Sequence, residues 1–276
     1  MSPTIENQVA AELRPLAGPD ELRACEALQK RAWNFEDIDV VSTPQLAAAQ
    51  KVGGLVLGAF DAEGRLLGFC YGFLGRYWNR LLHYSQMLAV DPPYRGQGLG
   101  LSLKRYQRER ALAQGLDCMA WTFDPLEARN AALNLGGLGA VGVEYVVDFY
   151  GATTSSLHAG TATDRLMVRW ELRAPATMER LRNQRPEFPA APQVLSQEGD
   201  AELPRPTAPE LGRSEETLQV VIPGQIQELK RADLELAKAW RAATRTVLLH
   251  YLGRGYRAVD FVHDGSSGIY RLERIG

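Results

Sequence analysis

A short glycine-rich loop, VDPPYRGQGLG at residues 90–100, constrains the fold of this chain more than any other feature. An apolar, strand-like run precedes it, and the apolar positions that follow recur at helical spacing. Glycines between a strand and a helix let backbone N–H groups approach a phosphate, and the helix N-terminus adds partial positive charge. The loop therefore predicts a phosphate-binding turn at the start of a helix.

The spacing of the glycines distinguishes between kinds of phosphate loop. A P-loop needs two glycines five positions apart followed by Lys and Ser or Thr, and no register of this loop supplies them. A dinucleotide-binding G-x-G-x-x-G motif starting at Gly96 fails at Leu101. The pattern that fits is R-x-x-G-x-G, formed by Arg95, Gly98 and Gly100. Kinase and dehydrogenase functions are therefore disfavoured.

Composition excludes several other classes of protein. The formal net charge of −2 disfavours a general nucleic-acid-binding role. Cys25, Cys70 and Cys118 are far apart, so the sequence predicts neither a disulfide framework nor a metal site. The N-terminal stretch lacks a leader pattern and the apolar runs are too short to span a bilayer. We expect a cytoplasmic protein without a membrane partner.

Hydrophobic periodicity divides the chain into three parts. Residues 1–173 alternate helices, hairpins and crossovers, which predicts a mixed α/β domain. Residues 174–216 are rich in proline and predict a linker or a surface arm. Residues 217–276 predict a strand–helix–strand–strand extension that weakly echoes the element order of residues 126–172. This extension is too small to be stable alone, so we expect it to pack on the first part or on a partner subunit.

The glycine loop and its surroundings resemble a known acyltransferase family. AVDPPYRGQGLG, at residues 89–100, is similar to the V-x-P-x-x-R-G-x-G-x-G signature of the GNAT acyltransferase superfamily. WTFDPLEARNAALNL (residues 121–135) and TDRLMVRWEL (residues 163–172) resemble a group of larger predicted acetyltransferases with a C-terminal extension. The resemblance covers about residues 10–173. It implies the GNAT fold, a mixed and mostly antiparallel sheet flanked by helices, here with a small C-terminal α/β extension.

The resemblance also implies a co-substrate, acetyl-CoA or another acyl-CoA, and a place for each of its parts. The end of the fourth strand would pair with the pantetheine amides, the loop would hold the pyrophosphate, and a following asparagine would lie near the pantetheine arm. The implied binding residues are Leu88, Ala89, Val90, Arg95, Gly96, Gln97, Gly98, Leu99, Gly100 and Asn130. Many family members carry a tyrosine as general acid where this chain has Leu135. A thiol pKa near about 8.5 nevertheless lets a thiolate leave more easily than an alkoxide.

Acyl transfer to an amine benefits from a base, often acting through water. His83 on the fourth strand is the first candidate, and a structural histidine at the strand end is the alternative. Glu144 and Asp148, predicted on one face of the sixth strand, could orient water, with simple solvent exposure as the alternative. Of Tyr84 and Ser85 on the fourth strand, one faces the cleft.

The sequence thus predicts an acyl-CoA-dependent N-acyltransferase, an acetyltransferase acting on a small-molecule amine by direct attack on the thioester. An amino acid is one acceptor we consider, because cations could hold its carboxylate. These cations are Lys30, Arg31, Arg76 and Arg80. Two alternatives stay open: a non-catalytic, regulatory module that binds acyl-CoA, and a succinyl-CoA-dependent amino-acid N-succinyltransferase. A homodimer is also left open.

Overall fold

The computed structural model describes residues 10–151, 160–200 and 202–275. The chain forms two compact units, the first built mainly from residues before Trp121 and the second mainly from residues after Ala120. Because these two residues are neighbours in one strand, the chain passes between the units without a loop. The domain limits predicted at residues 173 and 216 remain predictions.

The first unit combines three helices with a mostly antiparallel sheet. Its elements are β1 (Glu12–Pro15), α1 (Gly18–Trp33), α2 (Thr43–Lys51), β2 (Leu55–Phe60), β3 (Leu66–Tyr77), β4 (Arg80–Val90), α3 (Leu99–Ala113) and the first half of β5 (Cys118–Phe123). Strands β1 to β4 pair antiparallel in chain order, and β4 pairs parallel with β5. The predicted mixed α/β class with a mostly antiparallel sheet is confirmed.

Local chemistry explains the limits of the first helix. Pro19, Asp20 and Glu21 occupy its first turn, where a fixed φ and negative charge are favourable. The helix ends where Asn34 adopts a left-handed φ of 53° and its N–H donates to the Lys30 carbonyl, 2.8 Å away. Both limits of the helix therefore follow from residues adjacent to them in the sequence.

Different helices cover the two faces of this sheet. Helices α1 and α2 pack on one face with Leu22, Cys25, Leu28, Leu46, Val56, Phe69 and Tyr71. Helix α3 packs on the other face with Leu55, Leu57, Cys70, Leu99 and Leu103. Residues of β2 alternate between these two clusters, as expected of a strand buried on both sides.

A β-bulge interrupts β4. Ser85 pairs with Gly72 and Met87 pairs with Tyr71, so Gln86 is an extra residue in the strand. A bulge bends the strand and leaves one residue outside the regular ladder. The irregular backbone lies midway along β4, five residues before the glycine loop begins to turn.

The second unit contains the rest of β5 and the elements after it. They are α4 (Ala128–Ala131), a π-helical segment (Ala132–Gly137), β6 (Val141–Val146), β7 (Arg165–Glu171), α5 (Pro175–Leu181), β8 (Gln193–Leu195), β9 (Gln197–Glu198), β10 (Arg205–Pro206), β11 (Thr217–Pro223), α6 (Ile226–Ala232), α7 (Leu234–Gly253), β12 (Tyr256–His263) and β13 (Ser267–Arg274). The strand order is β5-β7-β6-β12-β13-β11-β8, and β9 and β10 form a separate ribbon.

The C-terminal extension repeats the arrangement of the segment from β5 to β7. In both, a strand is followed by helix and then by two strands, and the last strand lies between the other two. The two copies meet where β12 pairs with β6, at Ala258 and Gly142. The predicted apolar face of α7 is buried, namely Leu236, Trp240, Ala243, Val247 and Tyr251. The echo in the sequence therefore reflects one strand arrangement used twice.

Three details differ from the sequence-based expectation. The helix after β5 is a single α-turn followed by the π-helical segment, in which Gly136 lets the backbone approach the Phe261 carbonyl. Strand β6 ends at Val146, so Asp148 lies in the following turn with a left-handed φ of 48°. The proline-rich segment 174–216 contains α5, which begins at Pro175, and strand β8, which pairs with β11.

Candidate functional site

The glycine loop adopts a backbone that only glycine accepts readily. Gly96 and Gly98 have φ angles of 79° and 82°, in the left-handed region. A Cβ atom placed on Gly96 would meet no atom within 4 Å, so the space beside this residue is open. The loop therefore offers exposed backbone at the position where the sequence predicts a phosphate group.

Helix α3 begins directly behind this loop with an uncapped N-terminus. Gly98 is the N-cap residue and no side chain caps the helix. The Ser102 N–H donates to the Gly98 carbonyl at 3.0 Å, which begins the helical hydrogen-bond pattern. The N–H groups ahead of Ser102 are the ones that a helix leaves without an internal acceptor. Such donors suit an anion, so the loop and helix fit a pyrophosphate.

Arg95 braces the loop from within the first unit. Its Nε donates to the Val90 carbonyl at 3.2 Å and its guanidinium donates to the Ala32 carbonyl at 2.7 Å. These bonds tie the loop to the end of β4 and to the end of α1. The predicted contact of this side chain with the pyrophosphate remains a prediction.

Asp91 anchors the start of the loop, and the sequence analysis missed it. Its carboxylate is buried and accepts hydrogen bonds from Arg31 at 3.0 Å and from Arg65 at 3.3 Å. Its backbone N–H donates to the Leu67 carbonyl at 2.8 Å. No local signal could have found it, because its partners Arg31 and Arg65 lie 60 and 26 residues away in the sequence.

The end of β4 presents backbone that no strand covers. The pairs between β4 and β5 are His83 with Met119 and Tyr84 with Ala120, although β4 continues to Val90. On the edge turned away from β3, residues 88–90 have no strand partner in the described part of the chain. This edge can therefore accept an extended ligand, as predicted for the pantetheine amides.

His83 is buried on the side of the sheet that faces α3. Its side chain is 1% exposed, and its Nε2 lies 3.1 Å from the Gln107 amide nitrogen. Burial lowers the pKa of His83 to about 3, with a further contribution from the positive charge of Lys104. This geometry favours the structural alternative over the general base.

Tyr84 and Ser85 point to opposite faces of β4. Ser85 is buried against α3, where its hydroxyl contacts Lys104 and Gln107. Tyr84 is half-buried on the opposite face, and its ring centroid lies 5.6 Å from that of Phe73. Tyr84 is therefore the residue that an approaching acceptor could contact on the face away from α3.

Asn130 and Leu135 lie in the helical segment of the second unit. Asn130 is exposed, and its N–H donates to the Glu127 carbonyl at 2.9 Å. Glu127 is half-buried and accepts a hydrogen bond from Gln227 of the extension at 2.6 Å. Burial raises the pKa of Glu127. Leu135 is completely buried, so it contributes packing where many relatives of the resembled family carry an acid.

Glu144 and Asp148 do not share a strand face. Glu144 is half-buried on β6. Asp148 accepts hydrogen bonds from the Thr163 N–H at 3.1 Å and the Thr163 hydroxyl at 3.0 Å, and its own N–H donates to Asp164. The carboxylate of Asp148 thus closes a turn, because β6 ends two residues earlier than the sequence pattern indicated.

The cations predicted to hold an acceptor carboxylate all have partners in the described residues. Lys30 pairs with Asp37, and Arg31 contributes to the buried Asp91 site. Arg76 donates to Asn79 at 3.2 Å and Arg80 pairs with Asp117. None of these contacts was visible as a pattern in the sequence. Binding of an acceptor carboxylate by these four cations stays a prediction.

The described residues present neither a metal-binding cluster nor a membrane-spanning helix. Within residues 10–151, 160–200 and 202–275, no group of three or more His, Cys, Asp or Glu side chains is placed to hold a metal ion. No helix in these ranges is both long and apolar enough to cross a membrane. Cys25, Cys70 and Cys118 are buried thiols.

Comparison with known proteins identifies the family of the loop-bearing segment. Residues 20–136 match the family model described as acetyltransferase (GNAT) family. No curated protein sequence matches the chain significantly.

Several solved structures resemble this chain at low sequence identity. The ribosomal-protein-S18-alanine N-acetyltransferase of Escherichia coli has a TM-score of 0.48 and 19% identity, covering 60% of this chain and 96% of its own. An N-acetyltransferase of Staphylococcus aureus Mu50 has a TM-score of 0.48 and 16% identity, with 59% and 99% covered. A GNAT family N-acetyltransferase of Escherichia coli in complex with CoA has a TM-score of 0.38 and 18% identity, with 62% and 87% covered. The sequence match to the acetyltransferase (GNAT) family model therefore identifies the segment of residues 20–136 as a GNAT acetyltransferase segment, and it covers less than half of the chain.

Proposed function

We propose that this protein transfers an acetyl group from acetyl-CoA to the amine of a small molecule. The observation that carries the proposal is the loop of residues 95–100, where two left-handed glycines precede the uncapped N-terminus of α3. The loop lies inside the segment that matches the acetyltransferase family model. A non-catalytic acyl-CoA-binding module is the alternative, and buried Leu135 favours it.

Residues of the first unit would bind two parts of the co-substrate, its pantetheine amides and its pyrophosphate. Acetyl-CoA supplies an acyl group that is already activated as a thioester. The N–H groups at the start of α3 and the loop would hold the pyrophosphate. Residues 88–90 would pair with the pantetheine amides, and the role of Asn130 in the second unit stays a prediction. Backbone N–H groups near the bulge at Gln86 would stabilise negative charge that develops on the acyl oxygen.

Proton removal from the amine requires an acceptor that water can reach. Of the three predicted acid–base residues, His83 is buried with a pKa lowered to about 3, and Asp148 lies in the turn after β6. Glu144 is half-buried on β6, and we propose that it takes the proton through water. The substitution Glu144→Gln should then lower turnover about 100-fold at neutral pH. His83→Gln should lower it less than tenfold, and the opposite order would return the role of base to His83.

The acceptor would approach the part of the face opposite α3 that α1 and α2 leave exposed. Two aromatic rings lie on this part: Phe73 is 36% exposed, and its centroid lies 5.6 Å from that of the half-buried Tyr84. These rings favour an amine with an apolar part. An amino acid as acceptor, succinyl-CoA as donor, a homodimer and a cytoplasmic location all stay predictions.

A thiol-release assay tests the proposal. Acetyl-CoA and succinyl-CoA are each supplied with free amino acids, their amides, arylalkylamines and a lysine-rich peptide, and the acylated product is identified by its mass. We expect acetyl-CoA turnover with a small amine. CoA binding without turnover on any amine would favour the non-catalytic module. Turnover of the peptide alone would contradict a small-molecule acceptor.

A further inference from the structure

Four polar side chains form a hydrogen-bonded network between α3 and β4 inside the apolar core. The Lys104 ammonium donates to the Ser85 hydroxyl at 2.7 Å and to the Gln107 amide oxygen at 3.4 Å. The Ser85 hydroxyl donates to the same Gln107 oxygen at 2.8 Å. The Gln107 nitrogen lies 3.1 Å from His83 Nε2. All four residues are buried, with Lys104 only 2% exposed.

The direction of each hydrogen bond in this network follows from Lys104. An ammonium can only donate, so the Ser85 oxygen accepts and the Ser85 proton turns to the Gln107 oxygen. The Gln107 nitrogen then faces His83 and must donate, which makes His83 Nε2 an acceptor. His83 is therefore neutral, with its proton on Nδ1, in agreement with a pKa lowered by burial.

The network connects the two parts of the molecule that the proposed function uses. Helix α3 carries the pyrophosphate loop at its N-terminus, and Lys104 lies just over one turn inside it. Ser85 is the residue immediately before the bulge at Gln86. Fixing Ser85 therefore fixes the backbone that enters the bulge. Burying a lysine has a large unfavourable desolvation free energy. Apolar side chains would connect α3 to β4 without this penalty, so a purely structural link does not require the lysine.

We propose that Lys104 is a positioning residue for acyl transfer, holding Ser85 so that the backbone at the Gln86 bulge faces the acyl oxygen. The proposal rests on the proposed function, because the bulge has a chemical role only in acyl transfer. When protonated, the ammonium also brings a positive charge next to Ser85 and hence close to the bulge, where negative charge develops during the reaction. Turnover therefore depends on the protonation of Lys104.

The surroundings of Lys104 set this protonation. Helix α3 packs against β2, β3 and β4. The titratable groups that face Lys104 from these strands are Cys70 on β3 and His83 on β4, and the sequence of β2 contains none. Burial lowers the pKa of Lys104 to about 7, and it raises the pKa of Cys70 to about 12. The lysine charge therefore changes near neutral pH, while its two neighbours stay neutral.

The test compares wild type, Lys104→Met and Leu103→Met in the thiol-release assay from pH 6 to pH 9. Leu103 is the adjacent residue and is completely buried, so its variant controls for repacking of the core. We expect Lys104→Met to lower kcat by about 10- to 100-fold at pH 6 and to change the Kd for CoA less than threefold. The ratio of wild-type to variant kcat should fall as pH rises through 7, because Lys104 of the wild type loses its charge. Ionisation of the amine substrate affects both proteins equally and cancels in this ratio.

Two further variants keep the proposal falsifiable if Lys104→Met does not fold. Ser85→Ala keeps the lysine and should lower kcat with an unchanged Kd for CoA, and Ser85→Thr should restore most of the activity. The proposal is overturned if the ratio of wild-type to variant kcat is below threefold. It is also overturned if this ratio does not change with pH and the substitutions alter only the Tm, because the network would then be structural. Absence of wild-type turnover would contradict the proposed function itself, a result distinct from a failure of the variants.

Discussion

The Arg241 guanidinium on α7 forms two hydrogen bonds with the buried carboxylate of Asp124, 117 residues earlier in the chain, at 2.7 and 2.6 Å. Asp124 lies directly after β5 and also accepts from the Leu126 N–H at 2.9 Å. Burial alone would raise the pKa of Asp124, but the adjacent guanidinium outweighs it and lowers that pKa. The extension thus supplies the partner of a carboxylate that the preceding segment could not bury alone.

Breaking this ion pair should destabilise the second unit strongly. Asp124→Asn leaves the Arg241 charge buried without a carboxylate, so we expect the free energy of unfolding to fall by about 3–5 kcal/mol. Glu235→Gln provides the control, because its pair with Lys238 is exposed and should be worth less than about 0.5 kcal/mol. Urea unfolding followed by fluorescence measures both. Equal effects of the two substitutions would show that the buried pair has no special weight.

Removal of the extension should expose surface that the second unit needs covered. A chain ending at residue 216 loses the Arg241 and Arg245 partners of Asp124 and Asp164, and it loses the strand that pairs with β6. We expect this chain to aggregate or to bind a hydrophobic dye, because β6 becomes an open edge. Size-exclusion chromatography with dye binding is the measurement. A monomeric product with full-length stability would show that the extension is an independent appendage.

Elements with local signals were predictable from the sequence, and long-range partners were not. Pro19 and Asn34 mark the limits of α1, and the glycines after β4 identify the loop, because each depends on neighbouring residues only. In the sequence, Arg241 is simply a charged residue on an amphipathic helix. Only the structure shows that it pairs with Asp124. His83 likewise looked available as a base, since nothing in the chain indicated that α3 would cover it. The end of β6 was misjudged because apolar residues continue past Val146 into the turn.

The pH dependence of stability should report the buried lysine. The pKa of Lys104 is lowered to about 7, whereas an unfolded lysine titrates near about 10.4. Between these two pKa values, Lys104 of the unfolded state binds more protons than Lys104 of the folded state. The buried lysine therefore destabilises the fold fully below pH 7, and this destabilisation decreases as pH rises above 7. We expect the difference in unfolding free energy, wild type minus Lys104→Met, to rise by about 2–3 kcal/mol from pH 6 to pH 9. Urea unfolding at each pH measures it, and a constant difference would contradict the assignment.

Asp91 should contribute to both stability and co-substrate binding. Asp91→Asn removes the charge that Arg31 and Arg65 share, although both guanidinium groups are about half exposed. We therefore expect a moderate loss of about 1–2 kcal/mol in unfolding free energy and about tenfold weaker CoA binding, because the start of the loop is no longer anchored. Asp20→Asn breaks an exposed pair with Arg23 and serves as the control. A stability loss with unchanged CoA affinity would separate Asp91 from the binding loop.

Calorimetric titration with CoA tests the central assignment most directly, using two glycine variants with the same backbone strain. Gly98 and Gly64 have φ angles of 82° and 77°, but Gly64 lies in the turn between β2 and β3. Valine at either position should cost about 1–3 kcal/mol of stability. We expect Gly64→Val to bind CoA with an affinity within threefold of the wild type, and Gly98→Val to show no measurable binding. If Gly98→Val binds CoA as tightly as Gly64→Val, residues 95–100 do not hold the pyrophosphate.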